Sequence, residues 1–246
     1  MQAGAALHAK ERLLPTGTIE LVIPLEEERS RFYDAENLDR FREHSGALLL
    51  GAQSGCVVID STGGAAVIGV HFRPGGAFPF LGVPASAVED QSFSLEDLWG
   101  KDAAALRERV LSASGPRAKL QVLEHIMLAR LDAPEQHPAV AFAVCELSRG
   151  RRVTEVVDQI GISPRRFIRL FRDHVGLTPK VFSRVRRFQD AITGIGAGRN
   201  IAWADLAADC GYFDQAHFNH DFRTFSGLNP ERYLVERTDR ENHVAL

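Results

Sequence analysis

"VTEVVDQIGISPRRFIRLFRDHVGLTPKVF" at 153–182 and "WADLAADCGYFDQAHFNHDFRTFSGLNPERY" at 203–233 are two copies of one pattern. Val156, Val157 and Gly161 recur 50 positions later as Leu206, Ala207 and Gly211. One extra residue in the second turn moves the offset to 51, after which Phe167, Phe171, Gly176, Leu177, Pro179 and Phe182 recur as Phe218, Phe222, Gly227, Leu228, Pro230 and Tyr233. Each copy reads as a short helix, a turn containing glycine, and a second helix. Glycine accepts the left-handed conformation that ends one helix sharply and lets the next begin. Ser163 and Asp214 stand where the second helix needs an N-cap. Phenylalanines four apart form one apolar stripe facing a core. The pattern predicts a helix-turn-helix, twice.

Opposite that stripe the first copy carries Arg165, Ile168, Arg169 and Arg172, and the second Gln215, Ala216, Asn219, His220 and Arg223. These are the residue types that read a major groove. Arginine bonds guanine in two places, glutamine and asparagine bond adenine, and an exposed apolar side chain meets a thymine methyl. The charge distribution agrees. Residues 1–134 hold 13 Lys+Arg against 18 Asp+Glu, and residues 135–246 hold 16 against 14. Between Ser163 and Arg187 there are eight basic residues and one acid, Asp173. Such a block in an acidic chain suits a polyanion, with Lys180 and Arg187 as expected phosphate contacts, although a solvated helix face has the same composition.

His217, His220, Asp214 and Asp221 in "GYFDQAHFNHDFRTFSG" (211–227) raise the alternative of a metal or acid–base site. His217 and Asp221 have the four-residue spacing of a shared helix face, but further ligands are lacking in the pattern and Asp214 is used as a cap. His217 aligns with Arg166 at the edge of the buried face, which suits a structural hydrogen bond. We expect no metal, no cofactor and no catalytic group there.

Residues 140–237 resemble the DNA-binding domain of the AraC/XylS family of bacterial transcription regulators. The resemblance rests on the two repeats, the connecting "RVRRFQDAI" (184–192), and the glycine, F-x-x-x-F and G-x-x-P-x-x-[FY] spacings. It implies two helix-turn-helix units joined by a long helix over about 178–195, whose recognition helices enter successive major-groove segments about 34 Å apart. By position the family's base-reading residues fall on Arg165, Ile168 and Arg169, then on Gln215, Ala216, Asn219 and His220. Where the second recognition helix of the family commonly carries arginine, this chain has His220, so the first unit is expected to dominate specificity. The link "TGIGAGRN" (193–200) is expected to be a loop, with a hinge as the alternative.

The N-terminal part has another texture. "TIELVIPL" (18–25), "ALLLGAQSGCVVID" (47–60) and "AAVIGVHFRP" (65–74) read as strands between glycine-rich breaks. From Ser94 the pattern turns helical: "SLEDLWG" has a capped start, and Pro116 opens a helix with Leu120, Leu123, Ile126, Met127 and Leu131 near a helical repeat. "LLPTGTIELVIPL", "LLLGAQSG", "GVHFRPGGAFPFLGVPASAVED" and "SLEDLWG" together resemble an AraC-type N-terminal domain, similar in plan to the family's small β-barrel sensors. The fold class expected is therefore α+β: a β-barrel-like (cupin-like) domain with helices at about 94–131 in residues 1–134, then an all-α domain in 135–246, with "DAPEQHP" (132–138) between them. Because the chain begins close to its first motif, the barrel is expected to be incomplete or completed differently. Alternation puts Ile19, Leu21 and Ile23 on one face of their strand and Glu20 on the other, and sets Val70 and Phe72 against His71 and Arg73. Convergence of Glu20, His71 and Arg73 would make a polar ligand site, although each alone also reads as a surface charge. "RPGGAFPF" (73–80) reads as a wide turn or a lid.

Cys56, Cys145 and Cys210 are far apart and odd in number, which suits reduced thiols and not a disulfide framework. The sequence carries no apolar run of about 18 residues and no secretory pattern at its start. The reading is a cytoplasmic, sequence-specific transcription regulator whose partners are double-stranded DNA, a small-molecule effector, RNA polymerase and a second copy of the chain, with no membrane. The alternatives are a cupin-like enzyme or DNA-repair module fused to a DNA-binding domain, and an effector-independent DNA-binding protein. An enzyme would need a reactive cysteine or histidine cluster before residue 134, where His71 lacks companions and Cys56 sits in an apolar strand.

Overall fold

The computed structural model describes residues 10–26, 29–60, 66–131, 136–196 and 201–246. Two antiparallel sheets form the N-terminal part. Strands β1 (Lys10–Leu13), β2 (Glu20–Pro24), β3 (Ser30–Tyr33), β4 (Phe41–His44), β5 (Leu48–Leu50), β6 (Val57–Asp60), β7 (Val67–His71), β8 (Ser92–Ser94) and β9 (His243–Ala245) assemble as β4-β3-β6-β1-β9 and β7-β2-β5-β8. The expected barrel is not closed: among the described residues no ladder joins the sheets. They meet where β4 approaches β8, with His44 Nε2 2.8 Å from Ser92 Oγ. The sheet edge at β1 is completed by β9, a strand from the other end of the chain.

Register decides what each face of the smaller sheet meets. Glu20, Leu50, His71 and Ser92 stand opposite one another, hence on one face, and Leu21, Leu49, Val70 and Phe93 stand on the other. The second face packs on α3 (Lys101–Ser112) and α4 (Gly115–Arg130), where Leu106, Val110, Leu123 and Met127 are buried. Two short helices, α1 (Phe78–Leu81) and α2 (Leu95–Trp99), lead into that pair, and Ser94 caps α2 as expected. The α4 repeat is only partly a core stripe. Leu120 and Leu131 are exposed, because α4 buries a narrow face against its neighbours.

The predicted strand over 47–60 divides into β5 and β6. Gly51 explains the break: a Cβ there would fall 1.6 Å from the Val88 carbonyl oxygen, so only glycine lets 51–56 leave the sheet so close to the segment before β8. "RPGGAFPF" is a turn followed by α1. Strands β3 and β4 were absent from the sequence reading. They mix charged with aromatic side chains, Glu43 bonding Arg29 and Arg31 while Phe32 and Tyr33 stand next to each other, so they lack the apolar alternation that marks a half-buried strand.

Helices α5 (Pro138–Ser148), α6 (Val153–Ile160), α7 (Pro164–Val175), α8 (Pro179–Gly196), α9 (Trp203–Asp209), α10 (Gln215–Ser226) and α11 (Pro230–Glu236) form the rest. The long helix α8 lies where it was expected. It continues through Thr193–Gly196, so the first half of the predicted glycine-rich loop is helical; 197–200 lie outside the described residues. Residues 132–135 of the expected boundary also lie outside them. Buried side chains run as one cluster from Leu21 through Phe182 to Phe222, so both halves share a core.

Candidate nucleic-acid interface

The two copies fold alike for the reasons their sequences give. Gly161 and Gly211 take φ of +72° and +75° at the turns. Ser163 Oγ accepts from Arg166 N at 3.4 Å, and Asp214 Oδ1 accepts from His217 N at 2.7 Å, fixing the starts of α7 and α10. Phe167, Phe171 and Val175 are buried under α7, and Phe218, Phe222 and Phe225 under α10. Each such phenylalanine contributes about 1.5–3 kcal/mol by burial. Helix α8 serves both units, placing Phe182 5.5 Å from Phe171 and Phe188 5.2 Å from Phe222 between ring centroids.

That burial leaves the opposite stripes in solvent. Arg165, Ile168 and Arg169 are exposed on α7, with the Arg169 side chain 87% accessible and only a long 3.7 Å approach to Asp173. Gln215, Ala216, Asn219 and His220 are exposed on α10, and Lys180 is exposed at the start of α8. Two residues expected at DNA, Arg172 of the first stripe and Arg187, have partners within the protein. Arg172 pairs with Glu89 at 2.6 Å. Arg187 donates to the Gly211 carbonyl at 3.2 Å and lies over the Tyr212 ring, steadying the second turn from beneath. Burial, then the nearby Asp221 carboxylate, pushes the Tyr212 phenol upward.

Asp221 is the residue the sequence reading left unexplained. It is 1% exposed and accepts from Arg184 of α8, with Nη2 at 2.8 Å and Nε at 3.3 Å from Oδ1. His217 Nε2 lies 3.8 Å away on its other oxygen. The pair fastens α10 to α8. The signal was present in the sequence: Asp221 falls inside the Phe218, Phe222, Phe225 stripe, and an acid on a buried face needs a cation. Among the described residues no group of three or more His, Cys, Asp or Glu is placed to hold a metal ion.

In the N-terminal part a cleft of about 760 Å³ opens between the sheets, lined among others by Phe32, Phe41, Arg42, Leu50, Gln53 and Gln91. Glu20 and His71 do meet, Nδ1 to Oε1 at 3.0 Å, on the face of the smaller sheet that Leu50 and Ser92 present to this cleft. That hydrogen bond raises the His71 pKa above its usual value. Arg73 is exposed and bonds neither, so the expected three-residue convergence reduces to a pair, and none of the three lines the cleft. His44, at the seam, is shifted down by burial and then by Arg42. Burial also raises the Cys56 thiol.

A family described as a helix-turn-helix domain matches residues 156–235, and a domain of unknown function, DUF6597, matches residues 2–94. No curated protein matches the chain. Among solved structures the chain is similar to ToxT from Vibrio cholerae O395, with a TM-score of 0.51 and 11% identity over 94% of each chain. It is also similar to unsaturated fatty acid-bound wild-type ToxT from Vibrio cholerae strain SCE256, with a TM-score of 0.50 and 9% identity over 95% of this chain and 93% of that one. At these identities the likeness is one of fold: a β-rich part followed by the helical part.

Proposed function

We propose that the chain is a DNA-binding transcription regulator of the AraC/XylS family in which Arg165, Ile168 and Arg169 read bases at one half-site. On this reading Gln215, Ala216, Asn219 and His220 meet a second, and Lys180 holds phosphate. The observation that carries it is the duplicated unit, whose aromatic stripes are spent on one shared helix while both opposite stripes stand in solvent. Residues 1–134 form the sensor part and 135–246 the DNA-binding part, with β9 the exception. The effector is a small molecule held between the sheets, its apolar portion against Phe32, Phe41 and Leu50 and its polar portion toward Arg42, Gln53 and Gln91. RNA polymerase and a second copy of the chain are the protein partners, and the cytoplasm the compartment. Among the described residues no helix is long and apolar enough to cross a membrane.

Selection of bound duplexes from a random pool, followed by footprinting, tests the base-reading assignment. Arg169→Ala should cost about 1–3 kcal/mol at one base position, while Lys180→Ala should weaken all duplexes alike. Equal losses on selected and random DNA for Arg169→Ala would remove that residue from base reading.

A further inference from the structure

The last turn of α7 is held by the sensor part. The Arg172 guanidinium bonds the Glu89 carboxylate through Nη2 at 2.6 Å and Nε at 2.8 Å. Beside it Ser86 Oγ donates to Asp173 Oδ1 at 2.8 Å, and the Phe78 ring stacks on His174 with centroids 4.1 Å apart. Gly176, which ends the helix, is so close that a Cβ would lie 3.1 Å from the Ala52 Cβ.

Arg172 lies seven residues after Arg165 and three after Arg169, so it belongs to the same stripe of α7. A carboxylate of the sensor part therefore sits at one end of the stripe assigned to DNA. An arginine bonds a phosphate with the same pair of N–H donors it here gives to Glu89. Glu89 is well covered, its side chain 17% exposed, whereas Arg172 is half-exposed and turned toward solvent on its other side. In a complex that brought a phosphate to this turn, Glu89 would both occupy the guanidinium and repel the phosphate.

We propose that Glu89 is a built-in brake on the first recognition helix, standing in for a DNA phosphate on Arg172 until the two parts shift. The inference rests on α7 meeting DNA as proposed above. The brake is also next to the cleft. Asp90, Gln91 and Ser92 line it, and Asp90 takes a φ of +54° while its carboxylate holds Ser54 N at 2.6 Å and Ser54 Oγ at 2.7 Å. An occupant that displaced this short segment would displace Glu89 with it.

The full-length protein and its selected duplex test the brake by titration at several salt concentrations. Glu89→Gln should bind about threefold to tenfold more tightly, and its plot of log affinity against log salt should steepen by about 0.9, one added phosphate contact. Arg172→Ala in the Glu89→Gln background should abolish both gains. Glu89→Ala, checked by its melting curve, repeats the test should the glutamine disturb the turn. Unchanged affinity and slope in both Glu89 variants, with Arg169→Ala still losing base discrimination, would overturn the brake and leave the DNA-reading assignment standing. Failure of Arg169→Ala and of the Glu89 variants to alter binding at all would overturn both.

Discussion

Removing Arg184 should damage the protein more than removing Asp221, although the two share one ion pair. The pair lies between α8 and α10 with Asp221 1% and Arg184 27% exposed. Arg184→Met leaves a carboxylate among phenylalanines, with the His217 imidazole Nε2 3.8 Å from Oδ2. Orphaning a buried charge in this way costs about 3–5 kcal/mol. Asp221→Ala leaves a guanidinium on a flexible stem that is already partly wet and can swing outward, so its cost should stay near 1–2 kcal/mol. Replacing both, as Arg184→Met with Asp221→Leu, should cost less than Arg184→Met alone, because no charge is left without a partner. Urea unfolding at neutral pH, followed by circular dichroism, gives the three values. A cost of about 3 kcal/mol would lower Tm by roughly 6–12 °C in a chain of this size. If Asp221→Ala proves as damaging as Arg184→Met, desolvation of the carboxylate is not what governs this site.

Further expectations concern the contact between the two parts and the His71–Glu20 pair. Gly176→Ala should destabilise the protein by about 1–2 kcal/mol more than Gly161→Ala. Both positions have left-handed φ, but a Cβ at Gly161 meets nothing within 4 Å whereas one at Gly176 meets Ala52 and the Ala85 carbonyl. Equal costs by denaturant titration would mean that the two parts do not press together there. His71 has a pKa raised above 6.5 by its bond to Glu20. A raised folded-state value stabilises fully below the unfolded pKa and fades as pH climbs through the folded one. The Tm difference between wild type and His71→Gln should thus be largest near about pH 5 and shrink toward about pH 8. A difference that grows with pH would contradict the pairing.

The twin helix-turn-helix was legible in the sequence because its determinants are local. Gly161 and Gly211, Ser163 and Asp214, and the four-residue spacing of the phenylalanines act within one or two helical turns, so each copy announces its own turns, caps and buried face. The outward stripe of Arg165, Ile168 and Arg169 followed by subtraction. The same logic placed β2 and β7 and their faces, where apolar and polar residues alternate, and set Glu20 and His71 each on the polar face of its strand; that the two strands pair and bring them together came from the fold. Interactions between distant segments left no such pattern. Glu89 and Arg172 are 83 positions apart, and Glu11 and His243 are 232 apart. Nothing in either neighbourhood marks the partner, because an exposed acid or base reads the same whether it faces water or a second part of the chain. Only the tertiary fold decided that the sheets stay open, that the C-terminal strand β9 fills the edge at β1, that Arg172 and Arg187 hold protein groups, and that Asp221 is buried against Arg184. Periodicity fixes which side of an element is apolar; what covers that side, and which charges meet across the gap, depends on how the elements are brought together in space.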